Sequence, residues 1–159
     1  MKQLVDLLRE NARLSDAQLA VMLGISAEEA AKRVKKLEED GTVIGYSAII
    51  NEEEFDKNCV TAFIELKVSP QANCGYDEIA REIAQYPEVD SVYLMSGSFD
   101  LSVTLRGTSL REVALFVSDR LAPIDGVLST TTHFILRRYK EKGALFANCS
   151  TDERSMVSP

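Results

Sequence analysis

Residues 15–41 read SDAQLAVMLGISAEEAAKRVKKLEEDG, and this stretch decides how the N-terminal part of the chain folds. Ser15 is a good N-cap, because its hydroxyl accepts one of the orphan backbone N–H groups at a helix start. Leu19, Ala20, Met22 and Leu23 then fall on one face of a predicted helix. Gly24 stops that helix, since glycine takes a left-handed C-terminal position without strain. Ser26-Ala27-Glu28-Glu29 matches the S-x-x-E capping box. Ala30, Val34 and Leu37 recur at helical spacing as the expected core face of a further helix, which Gly41 ends. Upstream, Leu4, Leu7 and Leu8 give the spacing of a short amphipathic helix, broken at Asn11-Ala12-Arg13. Helix, short turn, helix is the organisation of a helix-turn-helix.

The rest of the 159-residue chain changes period. Thr42 to Ile50 is rich in β-branched residues and reads as a linking strand. Asn51 to Asn58 is polar and reads as a linker. Val60, Ala62, Ile64, Leu66 and Val68 alternate with Thr61, Phe63, Glu65 and Lys67, a strand with one buried face. Ile79, Ala80, Ile83 and Ala84 mark a helix, Val89 to Met95 a strand, and Leu101, Val103 and Leu105 another. Leu110, Val113, Ala114, Val117 and Leu121 mark a second helix, and Val127 to Arg137 a fourth strand. The order β-α-β-β-α-β predicts an α+β, ferredoxin-like fold. Both helices on one sheet face leave the other uncovered, and such a face usually finds a partner sheet, so a homodimer is expected. The expected division is 1–50, linker 51–58, 59–143 and a tail 144–159 without periodicity.

Composition excludes several classes. Hydrophobic residues make up 45% and charged residues 27%, which fits a folded domain rather than a disordered chain. No apolar run approaches the roughly 20 residues of a membrane span. Asp6 stands where a signal peptide would be apolar, so a cytoplasmic protein without membrane attachment is expected. Cys59, Cys74 and Cys149 form no C-x-x-C pair, and free buried thiols are the expectation. His133 is the one histidine, with no cluster to share a metal. Neither G-x-S-x-G nor G-x-G-x-x-G nor a Walker loop occurs. The expectation is no enzyme, no catalytic residue, no metal and no cofactor. The net charge is −7, yet residues 1–50 hold seven basic and eight acidic side chains, with Lys32, Arg33, Lys35 and Lys36 clustered. Such a stripe suits nucleic acid, and a plain solvated helix face has the same pattern.

The layout resembles the Lrp/AsnC ("feast/famine") regulators: a helix-turn-helix (winged-helix-like) domain followed by one ferredoxin-like (RAM-type) domain. The run Arg33 to Gly41 with Val43-Ile44-Gly45-Tyr46 is similar to that family's recognition-helix end and linking strand. Met95 to Leu101 is similar to its G-x-x-D effector loop, and Gly126-Val127 with Thr130 and Thr132 to its last strand. The resemblance implies a sequence-specific transcriptional regulator that binds double-stranded DNA and responds to an amino acid. It also implies dimers and higher rings such as octamers.

That resemblance carries a DNA surface onto residues 26–36, with Ser26, Glu28, Lys32, Arg33, Lys35 and Lys36 as candidates. Lys and Arg contact phosphates, Arg reads guanine bidentately, and Ser26 at a helix start can meet a phosphate. Glu28 and Glu29 depart from the family pattern and repel phosphate. Glu29 has a use in the capping box; Glu28 either favours the helix dipole or accepts from cytosine N4. An effector site is carried onto Ser96, Gly97, Ser98, Phe99 and Asp100, with Thr130 and Thr132 on one face of the last strand. Gly97 admits a ligand close to the backbone, and Asp100 suits an α-amino group. A plain hairpin turn is the alternative. Two other functions compete: an amino-acid sensor or accessory subunit acting through protein partners, which Glu28 and Glu29 motivate, and a siroheme-decarboxylase-like enzyme on the same layout, poorly served by one histidine and an acidic second domain.

Overall fold

The computed structural model describes residues 1–69 and 75–146. These divide into two compact units: Met1–Ile50 with the chain from Lys140 onward, and Asn51–Tyr139.

The first unit holds α1 (Lys2–Glu10), α2 (Asp16–Leu23) and α3 (Ala27–Glu39). Their shared core is Leu4, Leu8, Leu19, Ala20, Ala30 and Leu37, with Leu7, Leu23, Ile25 and Val34 packed at its rim. Of the apolar face expected for α2, Leu19 and Ala20 are in the core and Leu23 is packed at its rim, while Met22 is half exposed. Ser15 caps α2 in a full capping box with Gln18. Gly24 ends that helix at φ +65° and donates its N–H to Ala20 and Val21 carbonyls.

The capping box expected at Ser26 is half made. The Ser26 hydroxyl accepts the Glu29 N–H at 3.2 Å. The Glu29 carboxylate turns instead to Arg33 Nε, at 2.7 Å, because a full guanidinium charge one turn away outcompetes a neutral N–H.

The linking strand expected over 42–50 does not form among the described residues. The segment after Val43 lies exposed, with Ile44 at 96% exposure. A strand needs a ladder neighbour, and these residues have none within the described chain. The linker 51–58 contains a helical turn, α4 (Glu52–Phe55). Glu52 meets Arg106 at 2.9 Å, while Arg106 grips Asp90 with two nitrogens, both at 2.7 Å.

The second unit is a four-stranded antiparallel sheet in the order β2-β3-β1-β4. Its strands are β1 (Val60–Val68), β2 (Val89–Leu94), β3 (Leu101–Gly107) and β4 (Val127–Phe134). Helices α5 (Tyr76–Ile83) and α6 (Leu110–Phe116) pack on the face formed by Ala62, Ile64, Leu66, Leu101, Val103 and Leu105. β4 stops at Phe134, three residues earlier than expected. The other face mixes apolar and polar side chains. It carries Phe63, Glu65 and Lys67 on β1, with Ser102, Thr104, Thr131 and His133 opposite them in register.

The end of α6 winds as a π turn over Val117–Leu121, closed by the Ala122 N–H on the Val117 carbonyl at 2.8 Å. Leu110 and Ala114, expected in the buried stripe, are exposed. Val113, Val117 and Leu121 of that stripe are buried as expected, and Phe116 and Ile124 join them. The chain expected as an aperiodic tail from Ala144 begins with a strand: β5 (Lys140–Glu141) pairs with β6 (Ala144–Leu145). Lys142 and Gly143 between them have φ +45° and +91°, the signs of a type I′ turn.

Candidate functional site

The α3 surface is laid down by its caps and its core face. Burial of Ala30 and Leu37 turns Glu28, Lys32 and Lys35 to solvent. Ser26 is spent on the Glu29 N–H, so its hydroxyl already has a partner. Lys32 pairs with Glu28 at 2.9 Å, Arg33 with Glu29 at 2.7 Å and Lys35 with Glu39 at 3.5 Å. Lys36 lies beside Asp40, whose carboxyl is held below its ordinary value mainly by the Thr42 hydroxyl and N–H, with Lys36 adding to them. The candidates read from sequence therefore do share one helix surface, but as charge pairs rather than as a basic stripe. In the first two pairs the acid stands four residues N-terminal to the base, the more favourable orientation on a helix. That i, i+4 spacing was visible in the sequence.

The candidate effector loop joins β2 to β3. The Met95 N–H donates to the Asp100 carbonyl at 2.7 Å, closing the loop. The Asp100 N–H donates to Leu66 O at 2.9 Å, and the Asp100 carboxylate accepts the Val68 N–H at 2.8 Å. The β1–β3 ladder ends at Leu66, so the Val68 N–H two residues on meets the Asp100 side chain instead of a strand carbonyl. Ser96, Gly97 and Ser98 are exposed. A Cβ built on Gly97 would meet nothing within 4 Å. The Phe99 ring stands edge-on to Phe63 with centroids 6.1 Å apart. Phe63 in turn lies 6.1 Å from the His133 ring, and His133 Nε2 is 3.3 Å from Glu65. Phe63, Glu65 and His133 extend the loop's surroundings across the open sheet face. The sequence places Phe63 and Glu65 on the side of β1 away from its buried face and shows His133 as a lone histidine in a strand, with no sign that the three adjoin the loop.

Thr130 and Thr132 do lie on one face of β4, half-buried, but opposite Leu66 and Ile64 on the helix-covered side. β1 stands between them and β3, so the structure does not bring them to the loop. Cys59 is half-buried, and burial chiefly, with Glu52 adding to it, pushes its thiol up. Cys74 and Cys149 lie outside the described residues. Among the described residues no three His, Cys, Asp or Glu side chains gather as a metal would require. No described helix is long and apolar enough to cross a membrane.

A capped helix-turn-helix joined to a ferredoxin-like unit with an exposed glycine loop defines a two-part regulator, one part a DNA reader. Residues 2–38 match the AsnC-type helix-turn-helix domain, and residues 61–145 match the Lrp/AsnC ligand binding domain. The chain belongs to the Lrp/AsnC family of HTH-type transcriptional regulators. It is 46% identical over 158 residues to YugG of Bacillus subtilis, named an uncharacterized HTH-type transcriptional regulator, covering 99% of this chain and 95% of that one. Among solved structures it is similar to a transcriptional regulator of Neisseria meningitidis in complex with L-Met, at TM-score 0.72 and 26% identity, covering 91% of this chain and 93% of that one. It is also similar to a feast or famine regulatory protein of M. tuberculosis complexed with L-methionine, at TM-score 0.72 and 27% identity, covering 88% and 92%.

Proposed function

We propose that this regulator senses a free amino acid at the Met95–Asp100 loop and reads double-stranded DNA with α3. The observation that carries the sensing part is the loop itself. Gly97 is exposed and a Cβ there would meet open space, so nothing in the chain's own packing demands a glycine. An approaching ligand does, because a side chain would hold it off the backbone. Asp100 is anchored by Val68 through one carboxylate oxygen, and the carboxylate has further acceptor positions for an α-amino group. The L-methionine complexes of two similar regulators support an amino acid as the ligand class.

The DNA surface is Ser26, Glu28, Lys32, Arg33, Lys35 and Lys36, acting in the cytoplasm. A homodimer through the open sheet face, and a higher ring such as an octamer, fit a four-stranded sheet with helices on one side. The similar proteins are named as regulators, which supports regulation over the enzyme reading. The charge pairing along α3 favours one second reading, a sensor that acts through protein partners.

Thermal shift of the purified protein against the twenty amino acids tests the sensing part, since a ligand that binds only the folded state raises the melting temperature. A rise with one or a few amino acids, absent from Gly97→Val, is expected. No rise with any of them removes the amino-acid reading. Retention of specific fragments from a genomic DNA pull-down decides between DNA and protein partners, and sedimentation velocity reads the assembly state.

A further inference from the structure

The solvent-facing crest of α3 consists of two ion pairs. At 100° per residue, the direction opposite Ala30 and Leu37 is shared by Glu28, Lys32, Lys35 and Glu39. Glu28 and Lys32 form the pair nearer the helix start, 2.9 Å apart, with side chains 80% and 69% exposed. An exposed pair of this kind adds little to stability. It stands, however, in the first two turns of the recognition helix, the part of a helix-turn-helix that meets base edges in the major groove.

We propose that Glu28 and Lys32 together read one C·G base pair, with Glu28 on the cytosine and Lys32 on the guanine. This rests on α3 being the DNA-reading helix. The argument is one of matching donors and acceptors. The ionised Glu28 carboxylate only accepts, and the Lys32 ammonium only donates. Held side by side, they require a donor beside an acceptor on the DNA. Two base pairs offer that: cytosine N4 beside guanine O6, and adenine N6 beside thymine O4.

What flanks those atoms separates the two. On C·G, the guanine N7 acceptor lies next to O6, on the side of the ammonium, and gives it a second partner. On A·T, the adenine N7 acceptor lies next to N6, on the side of the carboxylate, and repels it. The thymine methyl crowds the ammonium. The reversed orientations put the carboxylate against O6 or O4 and fail altogether. The pair thus selects C·G in one orientation. The same carboxylate repels phosphate away from the matched site, which lowers non-specific binding and leaves more of the affinity to base contacts.

Selection of binding sites from a random duplex library, with full-length wild type and Glu28→Gln, tests this. Glutamine presents a donor and an acceptor that match adenine N6 and N7. Wild type should enrich a motif with a fixed C·G pair in each half-site. Glu28→Gln should move that one position toward A·T, changing the cytosine-to-adenine ratio about tenfold, with the other positions unchanged. Identical base preferences at every position for the two proteins would overturn the proposal while leaving α3 as the DNA reader. Failure of wild type to enrich any motif would overturn both. A purely structural role for Glu28 shows itself differently: the melting temperature falls and the motif stays the same.

Discussion

The Asp100 carboxylate accepts the backbone N–H of Val68 at 2.8 Å, across 32 positions of sequence. One side chain thus closes the β2–β3 loop onto the bulge of β1. Asp100→Ala leaves a partly buried N–H without an acceptor, a loss of about 1–3 kcal/mol. Asp100→Asn keeps an acceptor and should stay within about 1 kcal/mol of wild type, as a typical neutral hydrogen bond allows. Urea unfolding of both variants measures the difference. If Asn unfolds like wild type but loses the amino-acid response in a thermal shift, the charge serves the ligand. If Asn keeps the response, the carboxylate only ties the loop.

Gly126 provides a second test of how the ferredoxin-like unit is held. Its φ is +90°, and an added Cβ would lie 3.0 Å from Ile79 Cδ1 and 3.1 Å from Ser69 O. The Ser69 N–H donates to the Gly126 carbonyl at 2.8 Å, so the backbone cannot move aside cheaply. Gly126→Ala should cost about 2 kcal/mol or more, from strain and crowding together. Gly24→Ala, where a Cβ meets nothing within 4 Å, should cost only the left-handed strain of about 1–2 kcal/mol. Equal costs in chemical denaturation would mean that Ile79 and Ser69 yield to the methyl group.

On the DNA side, Arg33→Ala with Lys36→Ala removes two cations from each recognition helix. If both meet phosphates, the slope of log affinity against log salt should become shallower by roughly 2 per helix. An unchanged slope in fluorescence anisotropy titrations would take this part of α3 out of the interface.

Much of this architecture is legible in the sequence, and the misses share a cause. Caps act over three residues and strand alternation over two, so Ser15, Gly24 and the Val60–Val68 alternation declare themselves locally. What stayed hidden depends on partners far along the chain or outside it. Val43 to Ile50 has strand composition and no ladder neighbour in the described chain. Two-residue strands such as Lys140–Glu141 are too short to show a period. In the second helix of the ferredoxin-like unit the spacing names Val117 and Leu121 correctly but not the π turn between them, which leaves Arg120 over the Tyr86 ring, 5.9 Å from its centroid. At the candidate sites, the residue types and the loop were readable. The anchoring of Asp100 by Val68 and the diversion of Glu29 to Arg33 were not, because sequence shows which groups are present and not which one wins the competition for them.

The acid limb of stability offers a further measurement. Hydrogen bonds from the Thr108 hydroxyl and N–H hold the Glu112 carboxyl below its ordinary value of 4.5. A depressed folded-state value means that the contribution is complete above the unfolded carboxylate's range and is lost as pH falls through the folded value. Glu112→Gln should therefore lower the urea midpoint at neutral pH and lower it less in acid, by a small amount because the group is exposed. A constant difference across that range would show that Glu112 stays ionised throughout or contributes nothing.

The π turn at Val117–Leu121 also bears on which changes in chain length the fold tolerates. An α-helix that winds one turn wide carries one residue more than its length requires. Removing Ser118 or Asp119, both exposed, would let the turn close as ordinary α-helix while Leu121 and Ile124 kept their buried places. A one-codon deletion there should be survivable, whereas deleting Val113 or Phe116 would remove a buried side chain and shift any residues between it and the turn out of register. The widened turn is thus a spare codon: a place where this gene can shorten by one without refolding its protein.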